Sequence, residues 1–201
     1  SQKVLQNIIA KREKVLQNII AQREIEIIRH AMDLNNPTTR KFAVKLAQKY
    51  PGDYNLNQVC AIWNFCKQNW KYVSDPRGID YVAKASESIE LGLSGDCDDF
   101  AVLIASLVES IGGATRISYA YNQKEGHAFT EVFVGDYSRM IKVSNSIRQI
   151  YRIRKDIKYR QDKNGKYWLN LDWFANHPGG QYFSYDRCTI FYPRSNYVEI
   201  M

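Results

Sequence analysis

Nowhere in these 201 residues is there a run approaching the ~20 apolar residues that a membrane-spanning helix needs. Lys, Arg, Gln or Asn interrupts every candidate, so no membrane span is expected and a soluble protein is. Cysteine is scarce, four in all. Cys60, Cys66, Cys97 and Cys188 form neither the CxxC pairs of a zinc site nor the density of a disulfide scaffold. No calcium-loop motif is present, and no metal and no cofactor are expected. The opening residues, Ser1 to Leu5, offer neither an initiator methionine nor a signal-peptide pattern, so no compartment is assigned. What remains, 45% hydrophobic and 24% charged residues, is the composition of a globular protein.

The formal charge of +7 is not spread evenly. From Arg148 to Lys166 eight basic residues stand against Asp156 and Asp162, a net +6, and the rest of the chain is nearly neutral. Such a block suits phosphate, an anionic polymer or an acidic substrate. No recognition helix or base-stacking module accompanies it, so a solvated hairpin face is the expectation and nucleic-acid binding is not.

An 11-residue repeat opens the chain: Lys3 to Glu13 recurs as Lys14 to Glu24, with Gln22 in the place of Lys11. Apolar pairs at 4/5, 8/9, 15/16 and 19/20 keep to one side of a helix, because a period of 11 is about 3.67 residues per turn. A long N-terminal helix, residues 1–34 as a segment, is therefore expected. Self-association through it is a further expectation. Helices are also expected from Thr38 or Thr39 to about Lys49, from Asn57 to Gln68 and from Asp98 to Ile111. The last is apolar nearly all round and hence buried. Beyond Gly112-Gly113 the pattern turns to strands: Thr115 to Tyr121, Ala128 to Val134, Arg139 to Val143, Ile147 to Tyr159 and Tyr167 to Leu171. Lys163-Asn164-Gly165 is the turn signal between the last two, giving a basic hairpin insertion at about 146–167 within a domain of residues 35–201. Helices first and an antiparallel sheet afterwards define an α+β fold.

Chemistry concentrates at Cys97. It sits where the Gly-rich loop Gly92 to Gly95 enters a helix, so backbone N–H groups and the positive helix terminus favour a thiolate and a developing oxyanion. Asp98 and Asp99 oppose that, so a cationic histidine has to carry much of the activation. There are three histidines. His30 ends the N-terminal helix, His177 lies in a loop with no evident partner, and His127 opens a strand two elements after the Cys97 helix. His127 is the expected base. Cys60, Cys66 and Cys188 are read as core thiols.

Four blocks in order, Gly95-Asp96-Cys97-Asp98-Asp99, Gly113-Ala114-Thr115-Arg116, Gly126-His127-Ala128-Phe129-Thr130-Glu131-Val132 and Trp168-Leu169-Asn170-Leu171-Asp172, resemble the core of transglutaminase-like domains across roughly residues 40–175. The resemblance implies a papain-like core in which a Cys-bearing helix packs on an antiparallel sheet. It also implies a catalytic triad of Cys97 as nucleophile, His127 as base and Asp172 as orienting carboxylate. An aromatic donor upstream of the cysteine, Trp70 or Tyr72, would complete the oxyanion hole. Many relatives place the aspartate closer to the histidine. The wider interval here reads as an insertion, with Asp136 or Asn145 as alternative partners of His127. The implied activity is that of a transglutaminase-like cysteine hydrolase or acyltransferase, acting on a protein or peptide through a thioester, with hydrolysis favoured over Gln–Lys cross-linking. The alternative is a non-catalytic protein- or polyanion-binding module that keeps the fold.

Overall fold

The computed structural model describes residues 2–76 and 81–201. Ser1, where the expected N-terminal segment begins, and residues 77–80 lie outside them. Helix α1 spans Gln2–Met32 as the repeat predicts, but its apolar repeat pairs all face solvent. Only Ala21, Ile25, Ile28, Ala31 and Met32 are buried, a spacing that puts them on one face. That face packs on Ala101, Val102 and Ala105 and on Ile117 and Phe191. The last third of the helix is thus part of the core.

Helix α2 (Pro37–Ala47) starts one or two residues earlier than expected, because Asn36 is its N-cap, accepting from the Thr38 N–H at 2.9 Å, with proline at the first helical position. Helix α3 (Leu56–Asn69) is closed at its start by a reciprocal pair, Asn55 Oδ1 with the Gln58 N–H and Gln58 Oε1 with the Asn55 N–H. Strand β1 (Lys71–Tyr72), helix α4 (Ala85–Glu90) and strand β2 (Ser94–Gly95) lead to α5 (Cys97–Ser110), with β1 and β2 paired in parallel. All of α5 after Cys97 is buried, its two aspartates included.

Strands β3 (Thr115–Tyr121) and β4 (Gly126–Gly135) form the expected hairpin. Then comes a correction. Arg139–Val143 and the start of Ile147–Tyr159 are helix: α6 spans Tyr137–Tyr151, N-capped by Asp136 Oδ1 on the Arg139 N–H at 2.9 Å. The basic hairpin is consequently shorter than residues 146–167 suggested, made of β5 (Tyr159–Gln161) and β6 (Tyr167–Asn170) around the Lys163–Gly165 turn. Two further strands escaped the sequence reading, β7 (Arg187–Tyr192) and β8 (Tyr197–Ile200). The sheet has six strands in the order β5-β6-β4-β3-β7-β8, antiparallel throughout. The whole is an α+β fold, a curled antiparallel sheet with helices packed against it. Among the described residues no helix is long and apolar enough to cross a membrane.

Candidate active site

Cys97 opens α5, the helix that fills the centre of the core. Just before it, Gly95 adopts φ +153°, and a Cβ there would collide with the Asp99 side chain, which folds back to accept from the Asp96 N–H at 3.0 Å and the Ala83 N–H at 2.7 Å. Glycine is required because loop and carboxylate approach so closely. The helix is fastened to the sheet by Thr130 Oγ1, which donates to the Ala101 carbonyl at 2.6 Å. Thr130 lies on β4, the strand that carries His127.

Asp172 follows β6, the antiparallel neighbour of β4, with Glu131 opposite Asn170. The ladder continues one residue further through Leu171 N–H to Thr130 O at 2.9 Å. This adjacency brings together two residues 45 apart in sequence: His127 Nε2 and Asp172 Oδ2 are 2.8 Å apart and both buried. Asp172 is itself held. Its Oδ1 accepts from the Phe174 N–H at 3.2 Å, and its N–H donates to Asn170 Oδ1 at 3.0 Å. Asp136 and Asn145 serve elsewhere, as the α6 cap and as the acceptor of Arg148 Nη1. Since Asp172 occupies Nε2, the imidazole Nδ1 is the nitrogen left for a thiol. Phe174 and Phe183 lie against the ring at 5.0 and 5.1 Å between centroids, and Phe129 at 6.1 Å.

The Cys97 thiol is half-buried, and its hydrogen-bonding neighbour is the Ala128 N–H, one residue beyond His127. Among the hydrogen bonds of the described residues none joins Cys97 to the imidazole. Burial pushes the thiol pKa up, the Ala128 N–H opposes this, and Asp96, Asp98 and Asp172 add to the rise, giving about 12. Burial and these carboxylates therefore oppose the thiolate expected at the helix start. Of the two opposing carboxylates expected, Asp98 acts as foreseen, whereas Asp96 and Asp172 stand where Asp99 was expected. Asp96, Asp98 and Asp99 gather within 4.8 Å of one another, a crowd of negative charge that the loop's backbone donors partly offset.

Between the two aromatic candidates, Trp70 packs edge-on against Phe100 at 5.2 Å. Tyr72 stacks on Trp173 at 5.3 Å, and its phenol is pushed up first by burial and then by Cys97, so its hydroxyl lies within electrostatic reach of the thiol. His177 is not the partnerless loop residue the sequence suggested: it is buried, with Nδ1 2.8 Å from the Pro178 carbonyl and its ring against Tyr151. Cys60, Cys66 and Cys188 are buried core thiols.

Sequence reasoning missed the buried charge cluster behind the site. Glu131 accepts from Arg116 Nε at 2.7 Å, Arg160 Nε at 2.9 Å and Tyr182 Oη at 2.6 Å. Burial pushes the Glu131 carboxyl up, but Arg160 and Arg116 outweigh it and hold it at about 2. The Gly…Arg and His-Ala-x-x-Glu blocks quoted above are thus joined by an ion pair. Arg160, counted as surface charge, is its third member.

The site thus sets a thiol at the start of a buried helix, near a strand-borne imidazole held by a carboxylate just beyond the next strand. The sequence profile of the transglutaminase-like superfamily matches residues 40–144, more than half of the chain, and the chain belongs to that superfamily. The matched stretch includes Cys97 and His127, and Asp172 lies beyond it. No curated protein sequence matches the chain. Among solved structures it is similar to a protein from Parabacteroides distasonis provisionally named a protease (11% identity, 56% of this chain and 24% of that one, TM-score 0.46). It is also similar to one from Cytophaga hutchinsonii provisionally named a cysteine protease (18% identity, 81% of this chain and 47% of that one, TM-score 0.40). The chain spans about a quarter of the first and about half of the second.

Proposed function

We propose that the protein is a cysteine-dependent acyl-transfer enzyme acting on amide bonds of a protein or peptide. The supporting observation is the 2.8 Å His127–Asp172 contact on the strand whose next residue, Ala128, points its N–H at the Cys97 thiol. In this reading burial holds the thiol protonated at rest, so His127 acts as a general base during attack rather than as half of a preformed ion pair. Thiol–imidazole contacts are often loose without substrate and tighten in the complex. The Cys97 sulfur adds to the amide carbonyl as its proton passes to His127 Nδ1. The oxyanion meets N–H donors at the α5 start and the Tyr72 hydroxyl. His127 then protonates the leaving amine, the C–N bond breaks and a thioester remains. Water, deprotonated by His127, displaces the sulfur, which regains its proton, and a carboxylic acid leaves. Asp172 keeps the ring oriented through both halves. An amine in place of water would give cross-linking. Hydrolysis is favoured because water is always at hand, and no amine groove is evident among the described residues.

The test is a competition between water and a primary amine for the acyl group of a Gln-containing peptide, followed by mass. Acid product in excess supports hydrolysis, and amide product in excess contradicts that half of the reading. The second reading, a non-catalytic binding module, draws on the raised thiol pKa. It predicts no turnover of any peptide and no effect of Cys97→Ala on ligand binding.

A further inference from the structure

We propose that the cleft beside His127 is a subsite for an acidic side chain of the substrate, so that the enzyme selects peptides carrying Asp or Glu close to the reacting amide. This rests on the acyl-transfer reading above and adds the substrate class. The cleft, of about 670 Å³, is lined in part by Asp172, Phe174 and Phe183, the residues that hold and flank the imidazole. The cleft thus shares walls with the surroundings of the imidazole, next to the reacting atoms rather than around them. Arg154, Lys155 and Lys158, with Asp156 among them, line the same cleft.

These cations are not a loose tail. Ile157 is buried in the main core cluster, the Lys158 N–H donates to the Gly179 carbonyl at 2.8 Å, and the Gly179 N–H donates to the Asn170 carbonyl at 2.7 Å. Gly179 sits at φ +74°, where a Cβ would collide with Ile157. The basic segment is thus pinned to the same loop that carries Asp172. The carboxylates nearby are already engaged, Asp172 by His127 and Asp156 by Arg148 at 3.8 Å. Three cations in a cleft that shares Asp172, Phe174 and Phe183 with the surroundings of the imidazole favour an anionic side chain within a few residues of the scissile bond.

The experiment measures binding to the full chain bearing Cys97→Ala, by fluorescence anisotropy, of a labelled peptide with Glu on either side of a central Gln and of its Glu→Gln counterpart. The expected result is at least tenfold tighter binding of the acidic peptide, with the advantage removed in Lys155→Glu/Lys158→Glu and reduced at high salt. Equal affinities, no binding of either peptide, or heparin displacing the peptide with the same loss in the double variant as its only selective ligand would overturn the proposal. Selective binding without turnover by the wild type would instead sink acyl transfer alone, and turnover without selectivity would sink the subsite alone.

A separate observation, on α1, carries a second inference: the structure assigns its repeat to pairing with a second copy of the chain, helix beside helix. Val4, Leu5, Ile8, Ile9, Val15, Leu16, Ile19 and Ile20 are each 45–60% exposed. At 100° per residue they fall within an arc of about 160° on the side of the helix opposite the one that packs on the domain. Eight half-exposed large side chains leave on the order of 700 Å² of apolar surface per copy, above the usual monomer patch and enough for a dimer interface of standard size. Sedimentation should show a concentration-dependent dimer that Ile8→Asp/Ile19→Asp converts to monomer with an unchanged circular dichroism spectrum. A monomer at 100 μM would overturn pairing.

Discussion

At Cys97 two influences oppose each other: the helix start and the Ala128 N–H favour a thiolate, while burial and three carboxylates favour the thiol, and the balance lies at about 12. The free enzyme should therefore be alkylated by iodoacetamide at a rate that rises about tenfold per pH unit through pH 9, since only the thiolate reacts. A plateau already below pH 7 would reveal a preformed ion pair and sink the general-base reading. For Asp172 the expectation is a kcat loss on the order of 10²–10⁴-fold in Asp172→Asn, with KM little changed, because the ring loses its tautomer rather than its place. Cys97 and His127 were legible as candidates because a loop-to-helix cysteine and a strand-opening histidine each have a local signature. The upward push on the thiol pKa was not fully legible, because it depends on burial and on Asp172, both set by tertiary packing. Nor was the role of Glu131. Its partners Arg116 and Arg160 lie 15 and 29 residues away, and nothing local marks Arg160 as buried. Glu131→Gln should cost about 3–5 kcal/mol, since it leaves two guanidiniums beside a neutral group in the core. Urea unfolding checks this, and a change under 1 kcal/mol would contradict it.

Among elements, α6 shows why a local pattern misled. Met140, Ile141, Val143, Ile147 and Ile150 are rich in β-branched residues and favour strand. Yet Ser144 and Ile147, its buried residues, lie on one face with Met140, Val143 and Tyr151, which pack on the core at helical spacing. The Asp136 cap was the overlooked start signal. Strands β7 and β8 were missed because they are short and owe their place to pairing with β3 and with each other rather than to their own pattern. Helix α5, buried all round, was the easiest to read. Helix α1 divides in two, and its halves should respond differently. Ile28→Ala, at 2% exposure, should destabilise by about 2–5 kcal/mol. Ile19→Ala, at 60% exposure, should leave domain stability within about 0.5 kcal/mol in the monomer. Equal effects would show that the repeat packs on the domain.

Over the whole molecule, stability should fall on both sides of neutrality. Glu131 is held at about 2 in the fold against about 4.3 in the unfolded chain, so its contribution is present above the latter and fades as pH falls toward the former. Cys60 is raised to about 11 and Cys97 to about 12, burial leading in both. The unfolded chain then releases these protons first, and stability declines as pH rises from about 8.5. A Tm that stays flat from pH 8 to 11 would contradict this. The central claim is chemical, that Cys97 carries the acyl group. Its most direct measurement is acid quenching of the enzyme during turnover of a Gln- and Glu-containing peptide, followed by peptide mass mapping. The account predicts an acyl adduct on Cys97 that is absent in Cys97→Ala and at least a hundredfold slower to form in His127→Ala. Turnover that persists in Cys97→Ala, or an adduct on another residue, would contradict it.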